Sequence, residues 1–119
     1  MTPEPLEYLF VYGTLAPGRE NAHVLAGVAG EWRPASVRGT LHPEGWGAAF
    51  GYPGLVPDPH AGRVRGLVFA SAELGAHWQR LDDFEGEGYE RLRVDAELDD
   101  GTIVRAHVYA LRPGTGAPA

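Results

Sequence analysis

The chain has 119 residues, a formal net charge of −6 and a pI near 5.2. That length makes one domain with an ordinary core and a single site, and the acidic balance argues against nucleic acid or an anionic membrane as partner, since both take basic surface. Ten arginines with no lysine, and no cysteine at all, exclude Schiff-base chemistry, a P-loop lysine, disulfides, thiolate metal sites and cysteine nucleophiles.

A small solute is therefore the expected partner. The opening MTPEPLEYLF has no basic region and only a short apolar run, so it reads as neither a signal peptide nor a membrane span, and a cytoplasmic location is expected. Residues 1–7 read as an N-terminal extension, 8–113 as the single domain, and 114–119 as a mobile tail.

Tyr8, Leu9, Phe10, Val11 and Tyr12 are consecutive apolar or aromatic residues, which predicts a short strand buried on both faces. Gly13 ends it, and Thr14 adds a hydroxyl to a loop that continues to Pro17-Gly18. Two readings stay open: a plain turn, or a loop whose free N–H groups receive an anion. Arg19 to Val28 reads as a short helix with Ala22, Leu25 and Ala26 on one side, and Asn21 and His23 near its start are caps or ligand contacts.

Ala35 to His42 alternates as a strand. Between Gly39 and Gly66 the chain holds seven glycines and four prolines, a stretch expected to form a lid or site wall. Within it Trp46, Phe50, Tyr52 and Leu55 are too apolar to leave in water. Arg63 to Ala70 predicts a further strand, then Ser71 as N-cap of a helix whose stripe is Leu74, Trp78, Leu81 and Phe84, with Gly86 in a left-handed C-terminal position.

The last third predicts a hairpin. A loop Asp99-Asp100-Gly101, with glycine in the bulge position, sets Leu92, Val94, Ala96 and Leu98 against Val108, Ala106, Val104 and Thr102. On the other face Asp95 meets Arg105 and Arg91 meets Tyr109.

Candidate chemistry is narrow. The histidines at 23, 42, 60, 77 and 107 are scattered and no HExxH occurs, so no metal site is expected; Ser36 and Ser71 sit in no nucleophile motif. Glu85 continues the apolar stripe while Asp82 and Asp83 turn outward. A carboxyl there, at a helix C-terminus and partly buried, has its pKa raised, which suits proton transfer near neutral pH. It can equally hydrogen-bond the adjacent turn or pair with an arginine. Tyr89, Arg91 and Tyr109 share one hairpin face, as pocket lining or as a stacked outer face.

YGTL at Tyr12 to Leu15, the Pro17-Gly18 turn, YPGLV at Tyr52 to Val56 and LDDFEGEGYER from Leu81 together resemble the γ-glutamylcyclotransferase-like family, which includes γ-glutamylamine cyclotransferases and avirulence-induced plant proteins. The resemblance covers Leu9 to Leu111. It implies an α+β fold, a small mixed β-barrel of about five or six strands with flanking short helices, and a pocket at one end.

It further implies that the loop of Tyr12, Gly13, Thr14 and Leu15 holds a substrate α-carboxylate through backbone N–H groups, and that Glu85 transfers protons. Arg91 and Tyr109 are candidates for orienting the ligand. Where many relatives carry a basic residue after the YGTL leucine, this chain has Ala16, with Arg19 further on. The implied reaction converts a γ-glutamyl amine or peptide to 5-oxoproline and a free amine, with no metal or cofactor. A non-catalytic domain of the same fold that binds a carboxylate ligand, or a plain interaction module, are the alternatives.

Overall fold

Among the described residues, six strands and two short α-helices follow the order β1 (Glu7–Val11), α1 (His23–Ala26), β2 (Glu31–His42), β3 (Gly54–Pro57), β4 (Arg63–Ser71), α2 (Trp78–Glu85), β5 (Tyr89–Leu98) and β6 (Ile103–Leu111). The structure, a computed structural model, describes residues 6–12, 23–43 and 53–111. Gly13 to Leu15, Asn21, Trp46, Phe50, Tyr52 and the tail 114–119, all singled out above, lie outside the described residues. Among those described, no helix is long and apolar enough to cross a membrane.

The sheet closes on itself. β1 pairs antiparallel with β4, β4 with β2 and β2 with β3, while β3 and β6 run parallel, as do β6 and β1. These five strands form a ring, and β5 is the extra strand, antiparallel to β6 and touching β2 through Ala35↔Leu98 and Ser36↔Glu97. Closure removes the open edges that a sheet of this size otherwise exposes.

Strand alternation then makes two cores. Phe10, Ala35, Val37, Leu55, Val68, Ala96, Leu98, Ala106 and Val108 fill the barrel. Leu9, Val11, Phe69 and Tyr109 point the other way and pack under the helices with Val24, Leu25, Leu74, Trp78 and Leu81. β1 is buried on both faces, as its unbroken apolar run predicts. The strand begins at Glu7, however, one residue inside the expected extension.

Gly66 is required where β4 passes β1. A Cβ there would lie 2.5 Å from the Val11 carbonyl oxygen and 2.7 Å from the Phe10 ring.

The hairpin has the register its alternation predicts: Leu92↔Val108, Val94↔Ala106, Ala96↔Val104, Asp95↔Arg105 and Arg91↔Tyr109. Gly101 sits at φ 90°, and the loop closes through Leu98 N–H to the Thr102 carbonyl at 2.8 Å.

Several expectations change. The Gly39 to Gly66 stretch is not one long loop: β2 runs into it as far as His42, and β3 lies within it, placing Leu55 fully inside the barrel. Ser71 ends β4 rather than capping a helix, because β4 continues pairing as far as Ser71↔Glu7. Its hydroxyl donates to the Ala29 carbonyl and accepts the Glu73 N–H, a local turn that delays the helix. A 3₁₀ turn at Leu74–Ala76 precedes α2, so the predicted helix is two pieces. Leu74, Trp78 and Leu81 are buried, but Phe84 is 43% exposed. In α1, Val24 and Leu25 are the buried pair, and Ala26 is exposed.

Candidate active site

α2 ends at Glu85 and the chain reverses immediately. Gly86 adopts φ 81°, ψ −166° and donates its N–H to the Asp82 carbonyl at 3.1 Å. The positive φ is as expected, but this ψ is not the left-handed helical region; it belongs to a region open essentially to glycine alone. The sharp exit leads into β5 and leaves Glu85 half-buried beside the end of the barrel.

Burial there pushes the Glu85 carboxyl from the ordinary 4.5 up to about 7. The C-terminal end of the helix dipole opposes a negative charge in the same sense. A carboxyl so placed exchanges protons readily at neutral pH.

Two phenols lie within electrostatic reach of it. Tyr12, immediately after β1, and Tyr109, in β6, have their pKa values raised by burial first, and the Glu85 charge adds to both shifts. The Tyr12 hydroxyl donates to the Tyr109 carbonyl at 2.5 Å and accepts the Leu55 N–H at 3.0 Å. It thereby ties β1, β3 and β6 together. Tyr89, at the start of β5, donates its hydroxyl to the Pro53 carbonyl at 2.7 Å.

Tyr109 donates its own hydroxyl to Asp82 Oδ1 at 2.7 Å. Asp82, expected to face outward, does keep 41% of its side chain exposed, but it is also the centre of a polar cluster. Arg91 Nε donates to the same oxygen at 2.8 Å, and its Nη2 reaches Oδ2 at 3.3 Å. Burial pushes the Asp82 carboxyl up, but the Arg91 and Tyr109 hydrogen bonds outweigh it and hold the group below its usual range.

The Arg91 guanidinium also lies 4.5 Å from the centre of the Trp78 ring, with Nη1 3.1 Å from His107 Nδ1. Trp78 in turn donates its indole N–H to Glu7 Oε2 at 3.0 Å. Burial, followed by the Arg91 and Arg93 charges, lowers the His107 pKa, so the ring is neutral at pH 7 and can accept from Arg91.

Of the residues expected at the site, the structure brings together Glu85, Tyr12 and Tyr109, and places Arg91 behind Tyr109, engaged by Asp82. Gly13, Thr14 and Leu15 follow Tyr12 directly but lie outside the described residues. Asp82, Trp78, His107 and Glu7 were missed as parts of this cluster. One signal was available for Asp82: it stands three residues before Glu85, which on a helix is the same face.

A shallow cleft of about 410 Å³ lies elsewhere, between β2, the β3–β4 turn and the hairpin. It contains neither Glu85 nor the three tyrosines. Two of its four arginines are answered by neighbouring acids, Arg63 by Glu97 at 2.6 Å and Arg105 by Asp95 at 3.2 Å, and the large pKa displacements, those of Tyr12, Glu85 and Tyr109, lie at the barrel rim instead.

A closed barrel with a half-buried carboxyl at its rim, beside one buried and two half-buried phenols, has the make-up of the barrel class whose small-molecule sites lie at one end of the strands. The chain belongs to the family described as gamma-glutamyl cyclotransferase, AIG2-like, whose model matches residues 9–118.

Solved structures agree on the fold. YkqA from Bacillus subtilis is 34% identical over 89% of this chain, with a TM-score of 0.66; the match takes up 36% of YkqA, so the present chain spans about a third of that protein. An aig2-like protein from Mus musculus is 24% identical with a TM-score of 0.64, covering 96% of this chain and 81% of its own. A gamma-glutamyl cyclotransferase is 16% identical with a TM-score of 0.65, covering 95% of this chain and 70% of its own. At these last two identities the likeness establishes the fold alone. No curated protein matches the chain.

Proposed function

We propose that this protein is a cyclotransferase that converts a γ-glutamyl amine or short γ-glutamyl peptide to 5-oxoproline and a free amine, with Glu85 as the one general acid and base. The observation that carries the reading is the half-buried carboxyl of Glu85, pushed up to about 7, at the end of a barrel whose family is that of γ-glutamyl cyclotransferases.

The chemistry asks little beyond this. The substrate's α-ammonium gives a proton to the Glu85 carboxylate, and the amine nitrogen attacks its own γ-carbonyl. The new C–N bond closes a five-membered ring, the old amide C–N bond breaks as Glu85 returns the proton to the departing nitrogen, and the second proton that the ring nitrogen sheds to become a lactam N–H leaves on the free amine as its ammonium ion. At a pKa near pH 7, both forms of Glu85 are populated, so one group can serve both steps.

Holding the chain curled contributes as well, since effective molarities of well-oriented intramolecular reactions reach on the order of 10⁵ M or more. The loop of Tyr12, Gly13, Thr14 and Leu15 is assigned the α-carboxylate through its backbone N–H groups. Tyr109 lines the site. Arg91, whose donors are engaged by Asp82 and His107, supports Tyr109 from behind.

The test is 5-oxoproline release from a panel of γ-glutamyl amines and dipeptides, with Glu85→Gln alongside. Product that depends on Glu85 is expected. Turnover retained in Glu85→Gln removes the assignment of Glu85. No product from any member, with thermal stabilisation by the same compounds, points instead to a binding domain of this fold.

A further inference from the structure

Among the described residues, the protons of the three phenols at this site are committed to groups other than a ligand. A phenol has one proton and two lone pairs. The Tyr12 proton goes to a backbone carbonyl, that of Tyr109, and the Tyr89 proton to the carbonyl of Pro53. A carbonyl can only accept, so these directions are not ambiguous. The Tyr109 proton goes to Asp82, a carboxylate kept ionised by Arg91, so that direction is settled too.

Asp82 itself is held in place. Arg91 takes both of its oxygens, and Arg91 is fixed by the Trp78 face and by His107. Trp78 is anchored to Glu7. The orientation of Asp82 is thus determined from α2, β5, β6 and β1 together, and Asp82 lies one helical turn before Glu85 on the same face.

From this geometry we infer that Asp82 is a positioning residue: by accepting the single proton of Tyr109 it holds that phenol as a hydrogen-bond acceptor only, and Tyr109 and Tyr12 together present an acceptor-only wall beside Glu85 that receives an ammonium group. The substrate part of this inference rests on the cyclotransferase reading; the part concerning Glu85 does not. An acceptor-only wall suits an α-ammonium, which brings three N–H donors, and gives nothing to an anion. It also gives nothing to the Glu85 carboxylate, consistent with burial being the cause of its raised pKa.

The groups facing this cluster are Glu7 from β1 and Tyr12 just after it, Tyr89, Arg91 and, through His107, Arg93 from β5, His107 and Tyr109 from β6, and Asp82 from the same helix as Glu85. The experiment is a titration of the Glu85 side-chain carboxyl by carbon NMR on protein labelled at glutamate, with the signal assigned by its loss in Glu85→Gln. In Asp82→Ala the freed Tyr109 hydroxyl turns and donates to the Glu85 carboxylate, and the midpoint falls by about one pH unit.

Asp82→Asn, whose amide oxygen still accepts the phenol proton, recovers most of that change. So does Asp82→Ala with Tyr109→Phe, which has the same loss of charge but no phenol to donate. An unchanged midpoint in Asp82→Ala, or equal falls in all three variants, overturns the inference. Tyr109→Phe alone leaves the midpoint in place or lowers it; a rise would mean that the phenol was donating to Glu85 all along, and overturns it too.

In turnover, Tyr109→Phe raises KM about tenfold, and the acid limb of kcat/KM in Asp82→Ala moves with the NMR midpoint. The two readings fail separately. Product formed without the midpoint change leaves the cyclotransferase standing and removes the role of Asp82, whereas the midpoint change without product from any substrate removes the reaction and the ammonium partner with it.

Discussion

Replacing Glu85 by glutamine removes a carboxyl that folding holds away from its preferred charge state, and the effect on stability follows from the sign of that displacement. The folded group titrates at about 7, against 4.5 for the ordinary side chain. Between those values the native protein binds a proton that the unfolded chain has released, so wild-type stability falls as pH rises through the window.

Below pH 4.5 both states are protonated and the carboxyl costs nothing; above 7 the full penalty of a buried charge is present. At about 1.4 kcal/mol per pH unit, the distance from 4.5 to about 7 amounts to roughly 3 kcal/mol. Glutamine never carries the charge. Glu85→Gln is therefore close to wild type in stability at pH 4 and more stable by up to about 3 kcal/mol at pH 8, which is roughly 10 °C in Tm for a domain of this size. Urea unfolding of both proteins across pH 4 to 8 measures it. A difference that does not grow with pH, or one that grows as pH falls, refutes the argument, because only a group with a raised folded pKa yields this sign.

Other substitutions test the packing. Gly66→Ala forces a methyl against the Val11 carbonyl oxygen and the Phe10 ring; backbone cannot yield as a side-chain tip can, and denaturant unfolding should show a loss of about 1–3 kcal/mol. Tyr12→Phe leaves the Leu55 N–H without its acceptor and is expected to cost about 1–3 kcal/mol by the same measurement. Glu97→Gln breaks an exposed pair with Arg63, and its denaturant midpoint should stay close to that of the wild type, because solvent screens the pair. In wild-type turnover, the acid limb of kcat/KM is expected near pH 7, where Glu85 becomes the base.

The hairpin was legible because its information is local: alternation on both arms and an Asp-Asp-Gly turn admit one register that buries the apolar face. The partial burial of Glu85 was legible for a similar reason, as the next position of a helical stripe. What escaped notice depends on partners distant in the chain. Asp82 looks like a solvent residue by helical period alone; Tyr109 and Arg91, which claim it, come from the hairpin.

β3 escaped for another reason. Its four residues, Gly54 to Pro57, carry a glycine and a proline and are strand only because β2 and β6 pair with them. Ser71 has the chemistry of a helix cap, and it does receive a backbone N–H two residues on. The pull of β1 on the preceding residues keeps it in the strand.

The ring of strands has a weak seam. Among the described residues, β3 and β6 are joined through a single residue pair, Leu55↔Ala110, whereas β2 and β4 pair over eight positions. The Tyr12 hydroxyl, bonded to the Leu55 N–H and the Tyr109 carbonyl, acts as a rung made from a side chain. A staple of this kind can be undone without breaking any long ladder. Breathing of the barrel should therefore begin here, with the Leu55 amide exchanging sooner than amides of the β2–β4 ladder. Because the phenol that closes this seam also lies within electrostatic reach of Glu85, opening of the seam changes the surroundings of that carboxyl in the same motion.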